Sequence, residues 1–228
     1  MDFRLQRDEL AEPLDALNER RRLFRHLPVD PTHADWLRRR AWVRTIHGTT
    51  RIEGNTLSDI EVDELLSGSV GRNLPRREAL EVLGTRQAVA LVDELAPRSD
   101  VPLDEGLIRE VHRRVLDGQS PLFTPGAYRK GENRVGGAAG EIVFTTPPSG
   151  DVPELMHALS EWLIGHASSE SPPVAAALAH LEFVAIHPFN DGNGRTARAI
   201  SRLLLLRGDY GFDGLVSLDA YLDGDRSD

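Results

Sequence analysis

Apolar residues recur at three- and four-residue spacing along almost the whole chain, and the rhythm breaks only once, between Pro121 and Gly150. Such spacing lines one face of a helix with core-seeking side chains and leaves the opposite face polar. It predicts helices over about 8–26 and 31–53, with arginines between the apolar positions. Ser58 is suited to N-cap a short helix that ends near Gly68 and carries acids in its first turn. Pro75 suits a first helical position, opening a long amphipathic helix that stops before Pro97. Further helices are expected over 104–116, ending at Gly118, and over about 151–167, 173–186 and 193–207. The interruption is rich in glycine and proline, and only the pieces AYRK and EIVFTT favour strands. It reads as a long loop with a small hairpin, EIVFTT being one strand, and long ordered loops are often functional. The expected fold class is all-α with one β-flap. Residues 1–70 form an N-terminal helical region on a core of 71–228, the two making one structural unit.

At 228 residues the chain can bury one sizeable core. A formal net charge of −9 argues against a non-specific nucleic-acid binder, which would be basic. The absence of cysteine excludes disulfides, thiolate metal sites and a cysteine nucleophile. The first residues, MDFRLQRDELAEPLD, carry charges throughout and no apolar stretch of the signal-peptide kind. Apolar runs such as Leu203–Leu206 are far too short to cross a bilayer. The expectation is a cytoplasmic protein with no membrane or nucleic-acid partner.

The chemistry concentrates in His187-Pro188-Phe189-Asn190-Asp191-Gly192-Asn193-Gly194-Arg195-Thr196-Ala197-Arg198. Pro188 disfavours helical geometry at His187, so a helix ends at Ile186. A tight turn with two glycines follows, and a new helix begins at Asn193 or Gly194. A glycine-rich turn entering a helix N-terminus points unsatisfied N–H groups outward, and such groups bind phosphate oxygens. Arg195 and Arg198 share one face of the first turn, where their charge opposes the macrodipole unless an anion sits there. Asp191 repels bare phosphates, but a Mg²⁺ ion held between carboxylate and phosphate removes the objection. His187, at the edge of the site, could take a proton from an incoming hydroxyl. The spacing describes a nucleotidyl or phosphoryl transfer site.

This segment resembles the Fic signature, histidine-proline-phenylalanine-x-acid-glycine-asparagine-glycine-arginine-x-x-arginine, with every defined position filled. PGAYRKGENRVGG (125–137) and EIVFTTPPSGDVPELM (141–156) are similar to the family's stretch before the flap and to the flap with its following helix. The resemblance covers roughly residues 45–222. It implies a helical bundle with a β-hairpin flap at about 140–148 and a protein adenylyltransferase, moving AMP from ATP onto a Ser, Thr or Tyr hydroxyl of a target protein. His187 would be the general base, Phe189 a buried anchor and Asp191 the Mg²⁺ ligand. Gly192, Asn193 and Gly194 would form an anion nest, with Arg195 and Arg198 on the distal phosphates. Ile142, Val143, Phe144 and Thr145 would offer flap backbone to an extended target segment. Glycine at 194 resembles the AMP-transferring members, whereas Doc-type kinases carry lysine there. Many relatives dimerise, which leaves a homodimer open.

Thr49-Thr50-Arg51-Ile52-Glu53-Gly54 resembles the family's inhibitory motif, on a helix of about 45–54. Thr49 and Glu53 share a helix face, and Gly54 is a natural residue just past a helix end. Glu53 then meets the negative end of the dipole, a local cost without visible compensation. The resemblance supplies one: Glu53 pairs with Arg198 in place of the ATP γ-phosphate, as in the class restrained by its own N-terminal helix. The alternatives are another nucleotidyl or phosphoryl transfer, removal of AMP, or a regulatory binding module.

Overall fold

The computed structural model describes residues 5–69, 73–119, 124–136 and 142–225, and of 134–136 and 142–143 the backbone alone. Nine α-helices and one two-stranded sheet occur among them, so the all-α architecture with a small hairpin is the one adopted. The order is α1 (Arg7–Phe24), α2 (Pro31–Ile52), α3 (Asp59–Ser67), α4 (Arg76–Leu95), α5 (Glu105–Val115), β1 (Arg134–Gly136), β2 (Ile142–Thr145), α6 (Val152–Gly165), α7 (Pro172–Ile186), α8 (Asn193–Arg207) and α9 (Leu218–Gly224).

Helix ends follow local chemistry. Ser58 and Glu61 form a reciprocal capping box on α3, and Gly68 closes that helix in the left-handed region. Asp104 caps α5 by accepting from the Leu107 N–H. Pro75 stands one residue before α4 rather than inside it.

Two apolar clusters hold the helices. The larger joins α4 to α8 through Val92, Ile108, Val111, Met156, Leu159, Phe183, Ile186, Ile200 and Leu203, and it receives Phe189 from the turn between α7 and α8. The smaller joins α2, α3 and α4 through Val43, Ile46, Leu57, Val62, Val82 and Val89. Helix α2 also lies against α9, where Gly48 permits contact that a side chain would forbid: a Cβ there would stand 2.7 Å from the Asp219 carbonyl oxygen. By these contacts the C-terminal end of α2 reaches the N-terminal end of α8.

For the interruption, the sequence reading named one strand of the hairpin and left its partner unplaced. Strand β2 falls within EIVFTT, but its antiparallel partner is Arg134–Gly136, with Arg134 opposite Thr145, and not AYRK. AYRK is used otherwise: the Arg129 N–H donates to the Pro188 carbonyl at 2.9 Å, and the Tyr128 ring lies 5.5 Å from that of Phe189. Residues 140 and 141 of the expected flap lie outside the described residues.

Candidate active site

The site is the turn between α7 and α8. His187 ends α7 with φ 49° and ψ 59°, a left-handed conformation in which a residue before proline escapes the helix. Its ring is half-buried, and Nδ1 lies 3.4 Å from the Val184 carbonyl oxygen. Burial, and after it the nearby Arg129 charge, hold its pKa below the ordinary 6.5. At neutral pH the imidazole is uncharged and can accept a proton.

The turn that follows is braced from inside. Phe189 is fully buried. Its N–H donates to Asn193 Oδ1 at 2.9 Å, and Asn193 Nδ2 donates back to its carbonyl at 2.8 Å. The Asn193 side chain is thus committed to the turn, which leaves its backbone N–H as its only means of meeting an anion. Below Phe189 lies His112, 2% exposed, stacked on the ring at 3.6 Å with 8° between planes. The Gly126 N–H donates to His112 Nδ1 at 2.8 Å, so Nε2 carries the proton and donates to the Asp191 carbonyl at 2.9 Å. Burial pushes the His112 pKa down to about 4 and keeps the ring neutral. The sequence reading made no claim for His112; its one signal is its place on the apolar stripe of α5 with Ile108, Val111 and Val115.

Gly192 takes φ 72° and begins α8, leaving the first N–H groups of that helix without helical partners. Asp191 is about half-exposed beside this end; its Oδ1 accepts from the Gly192 N–H at 2.6 Å and lies 3.5 Å from Arg195. One exposed carboxylate fits a Mg²⁺ ion that arrives with substrate phosphates; no group of three metal-ligating side chains occurs among the described residues.

The two arginines diverge. Arg195 is 3% exposed, with long contacts of 3.4 Å to Gln119 and 3.5 Å to Asp191, and its buried Nε has no hydrogen-bond partner among the described residues. A buried cation so weakly paired, at a helix N-terminus, suits an anion. Arg198 is met from α2 instead. Its Nε donates to Thr49 Oγ1 at 2.6 Å, and its Nη2 donates to the Thr49 carbonyl at 2.9 Å and to Glu53 Oε1 at 2.8 Å. Asp219 of α9, unmentioned in the sequence reading, stands 3.7 Å from the same Nε; burial raises its pKa. Glu53 is the C-cap of α2, followed by Gly54 at φ 94°. Its carboxylate lies against Gly194, and a Cβ at that position would collide with Glu53 Oε1. The anion at the start of α8 is therefore a side chain of the protein itself.

Of the flap positions, Ile142 and Val143 are described by backbone only, while Phe144 and Thr145 are exposed. Each strand of the two-stranded sheet has one edge without a strand partner among the described residues.

The fold is thus a helical domain with an arginine-bearing helix N-terminus, an adjoining neutral histidine and a hairpin beside them. Residues 102–205 match the model of the Fic/DOC family, and this segment carries that family's domain. It is 34% identical over 178 residues to the protein adenylyltransferase Fic of Drosophila ananassae, a match that spans 76% of this chain and 34% of the relative. The chain thus spans about a third of the length of the curated relatives it matches. Among solved structures, a Fic family protein from Desulfovibrio desulfuricans G20 superposes with TM-score 0.77 at 27% identity, covering 98% of this chain and 64% of that one. Fic-1 from C. elegans superposes with TM-score 0.74 at 31% identity, covering 86% and 57%.

Proposed function

We propose that the chain transfers AMP from ATP to a hydroxyl side chain of a target protein, with His187 as general base and Glu53 as a built-in restraint. The observation that carries the reading is the α7–α8 turn: a neutral imidazole beside a helix N-terminus at which a carboxylate already meets Arg198. The names of the relatives at 32–34% identity point to the same reaction. The target hydroxyl gives its proton to His187 while its oxygen attacks the α-phosphorus; the new P–O bond forms as the bond to the β-phosphate breaks, and pyrophosphate leaves. Such a base contributes roughly 10²–10⁴ in rate. Arg195, Arg198 and the N–H groups of Asn193 and Gly194 hold the phosphates, while the Gly192 N–H is taken by Asp191; Asp191 would hold Mg²⁺, whose charge would offset that of the polyphosphate. The open edge of β2, from Ile142 to Thr145, receives an extended target segment.

Glu53 occupies on Arg198 the place a terminal phosphate would take. A charged hydrogen bond contributes about 1.5–3 kcal/mol, so its removal raises the rate by roughly one to two decades. A cytoplasmic setting suits a reaction that consumes ATP, and no helix among the described residues is long and apolar enough to cross a membrane.

AMP incorporation from α-labelled ATP with Mg²⁺ tests the reading on the parent, Glu53→Gly and Glu53→Gly/His187→Ala proteins. Label in Glu53→Gly that vanishes with His187→Ala is the expected result. Label from γ-labelled ATP alone would replace adenylyl transfer by phosphoryl transfer, and no label with any nucleotide would leave a binding role.

A further inference from the structure

Arg129 is 2% exposed, yet its hydrogen bonds go to main-chain carbonyls. Nε donates to the His187 carbonyl at 2.9 Å, Nη1 to Gly131 at 3.0 Å, and Nη2 to Pro147 at 2.6 Å and Ile186 at 3.4 Å. A buried guanidinium without a hydrogen-bonded counter-ion is costly and survives only where its donors are satisfied. Here they are satisfied from three segments at once: the end of α7, the approach to β1 and the exit from β2. Only the planar five-donor fork of arginine spans such an arrangement. The carbonyls of Ile186 and His187 lie at the negative end of the α7 dipole, which favours a cation there.

The same neck is closed by smaller bonds. Thr146 Oγ1 donates to the Asn133 carbonyl at 2.8 Å, Ser149 Oγ donates to the Lys130 carbonyl at 3.1 Å, and Asn133 Nδ2 reaches the Phe189 carbonyl at 3.4 Å. Above the neck, His187 sits in a left-handed conformation that a histidine keeps only when its surroundings hold it.

We propose that Arg129 is a positioning residue that clamps the base of the flap to the backbone of His187, so that one side chain sets both where the target strand docks and where the general base stands. The proposal rests on the adenylyl-transfer reading above. Arg129 acts on His187 in two separable ways, by fork geometry and by charge. The charged groups acting on the imidazole are Arg129, from the segment before the flap, and Glu53, from the end of α2; within α7 the Val184 carbonyl faces Nδ1. A positive Arg129 disfavours the imidazolium, and Glu53 favours it.

The test uses Glu53→Gly protein carrying Arg129→Lys, Arg129→Gln or Thr146→Val, with a target peptide and Mg-ATP. Arg129→Lys keeps the charge and loses the fork. It should leave ATP affinity within about threefold and lower kcat by roughly ten- to a hundredfold, as expected of a small misplacement of a catalytic group. The His187 pKa, followed by NMR of its Cε1–H, should stay in place. Arg129→Gln removes the charge as well, so the His187 pKa and the acid limb of the rate profile should move to higher pH. Thr146→Val opens only the neck and should raise KM for the peptide with the His187 pKa unmoved. Rates within twofold of the parent for both Arg129 variants would overturn the clamp. So would a fall in ATP affinity and melting temperature that accounts for all the lost activity, since that is general unfolding. Absence of AMP transfer in Glu53→Gly itself would strike the reaction and not the clamp. The NMR titration and amide exchange of the flap strands then decide alone: an unmoved His187 pKa in Arg129→Gln with unchanged flap protection overturns it.

Discussion

The turn from His187 to Asn193 and the first turn of α8 adjoin in sequence but are held in opposite ways. The first is braced from beneath by groups with nowhere else to go. Asn193 spends its whole amide on Phe189, His112 stacks under that ring and bonds the Asp191 carbonyl, and all three side chains are nearly or fully buried. Arg198 is held from outside by Thr49 and Glu53, nearly 150 residues earlier in the chain, and Glu53 remains about one-third exposed. A buried donor deprived of its partner incurs its full desolvation cost, whereas a carboxylate on an arginine can be exchanged for another anion. The turn proposed to be catalytic is therefore fixed while the anion site beside it is exchangeable, a division suited to the restrained transferase proposed above.

Five changes would break or sharpen that contrast. On the fixed side, His187→Ala in the Glu53→Gly background should lower AMP incorporation by roughly 10²–10⁴, with a melting temperature close to that of Glu53→Gly. Phe189→Ala, the structural counterpart, should cost about 3–5 kcal/mol in urea denaturation, because it empties a fully buried site. His112 makes the same brace sensitive to acid. Its folded pKa of about 4 lies below the ordinary 6.5, so between those values the unfolded chain binds the extra proton. Its contribution is complete above pH 6.5 and is lost as the pH falls towards 4, by about 3 kcal/mol at the limit. The stability difference between parent and His112→Gln, measured at pH about 7 and about 4.5, should shrink by a large part of that amount. On the exchangeable side, Glu53→Gly should raise the rate by roughly one to two decades and lower stability in urea by no more than the about 1.5–3 kcal/mol of that bond. Thr49→Val should do the same more weakly, by less than about one decade, because it removes one bond to Arg198 and keeps the carboxylate. If Glu53→Gly instead unfolded the chain, the restraint would belong with the fixed half.

The same division explains what the sequence could and could not disclose. Elements with local causes were legible: the N-cap at Ser58, the stop at Ile186 before Pro188, and the new helix beginning at Asn193. The meeting of Glu53 with Arg198 was approachable through motif resemblance, since spacing alone says nothing about contact across 145 residues. His112, Gln119, Arg129 and Asp219 were missed as site residues because each reaches the turn or α8 only through tertiary packing. A buried histidine on an apolar stripe and an arginine inside a β-favouring tetrapeptide look ordinary locally. Strand β1 escaped because three residues are too few for an alternating pattern to register.

Gly194 carries a consequence for how such a chain can change by mutation. Because any Cβ at this position would collide with Glu53 Oε1, a substitution there also displaces the carboxylate. On the proposed reading, loss of the restraint and remodelling of the phosphate nest are thus one mutational step and not two. A lineage that explored new residues at 194 would meet the unrestrained form before any altered chemistry had been refined. A genetic screen for toxicity through excess activity should accordingly return two clusters of hits, one at the end of α2 and one at the start of α8.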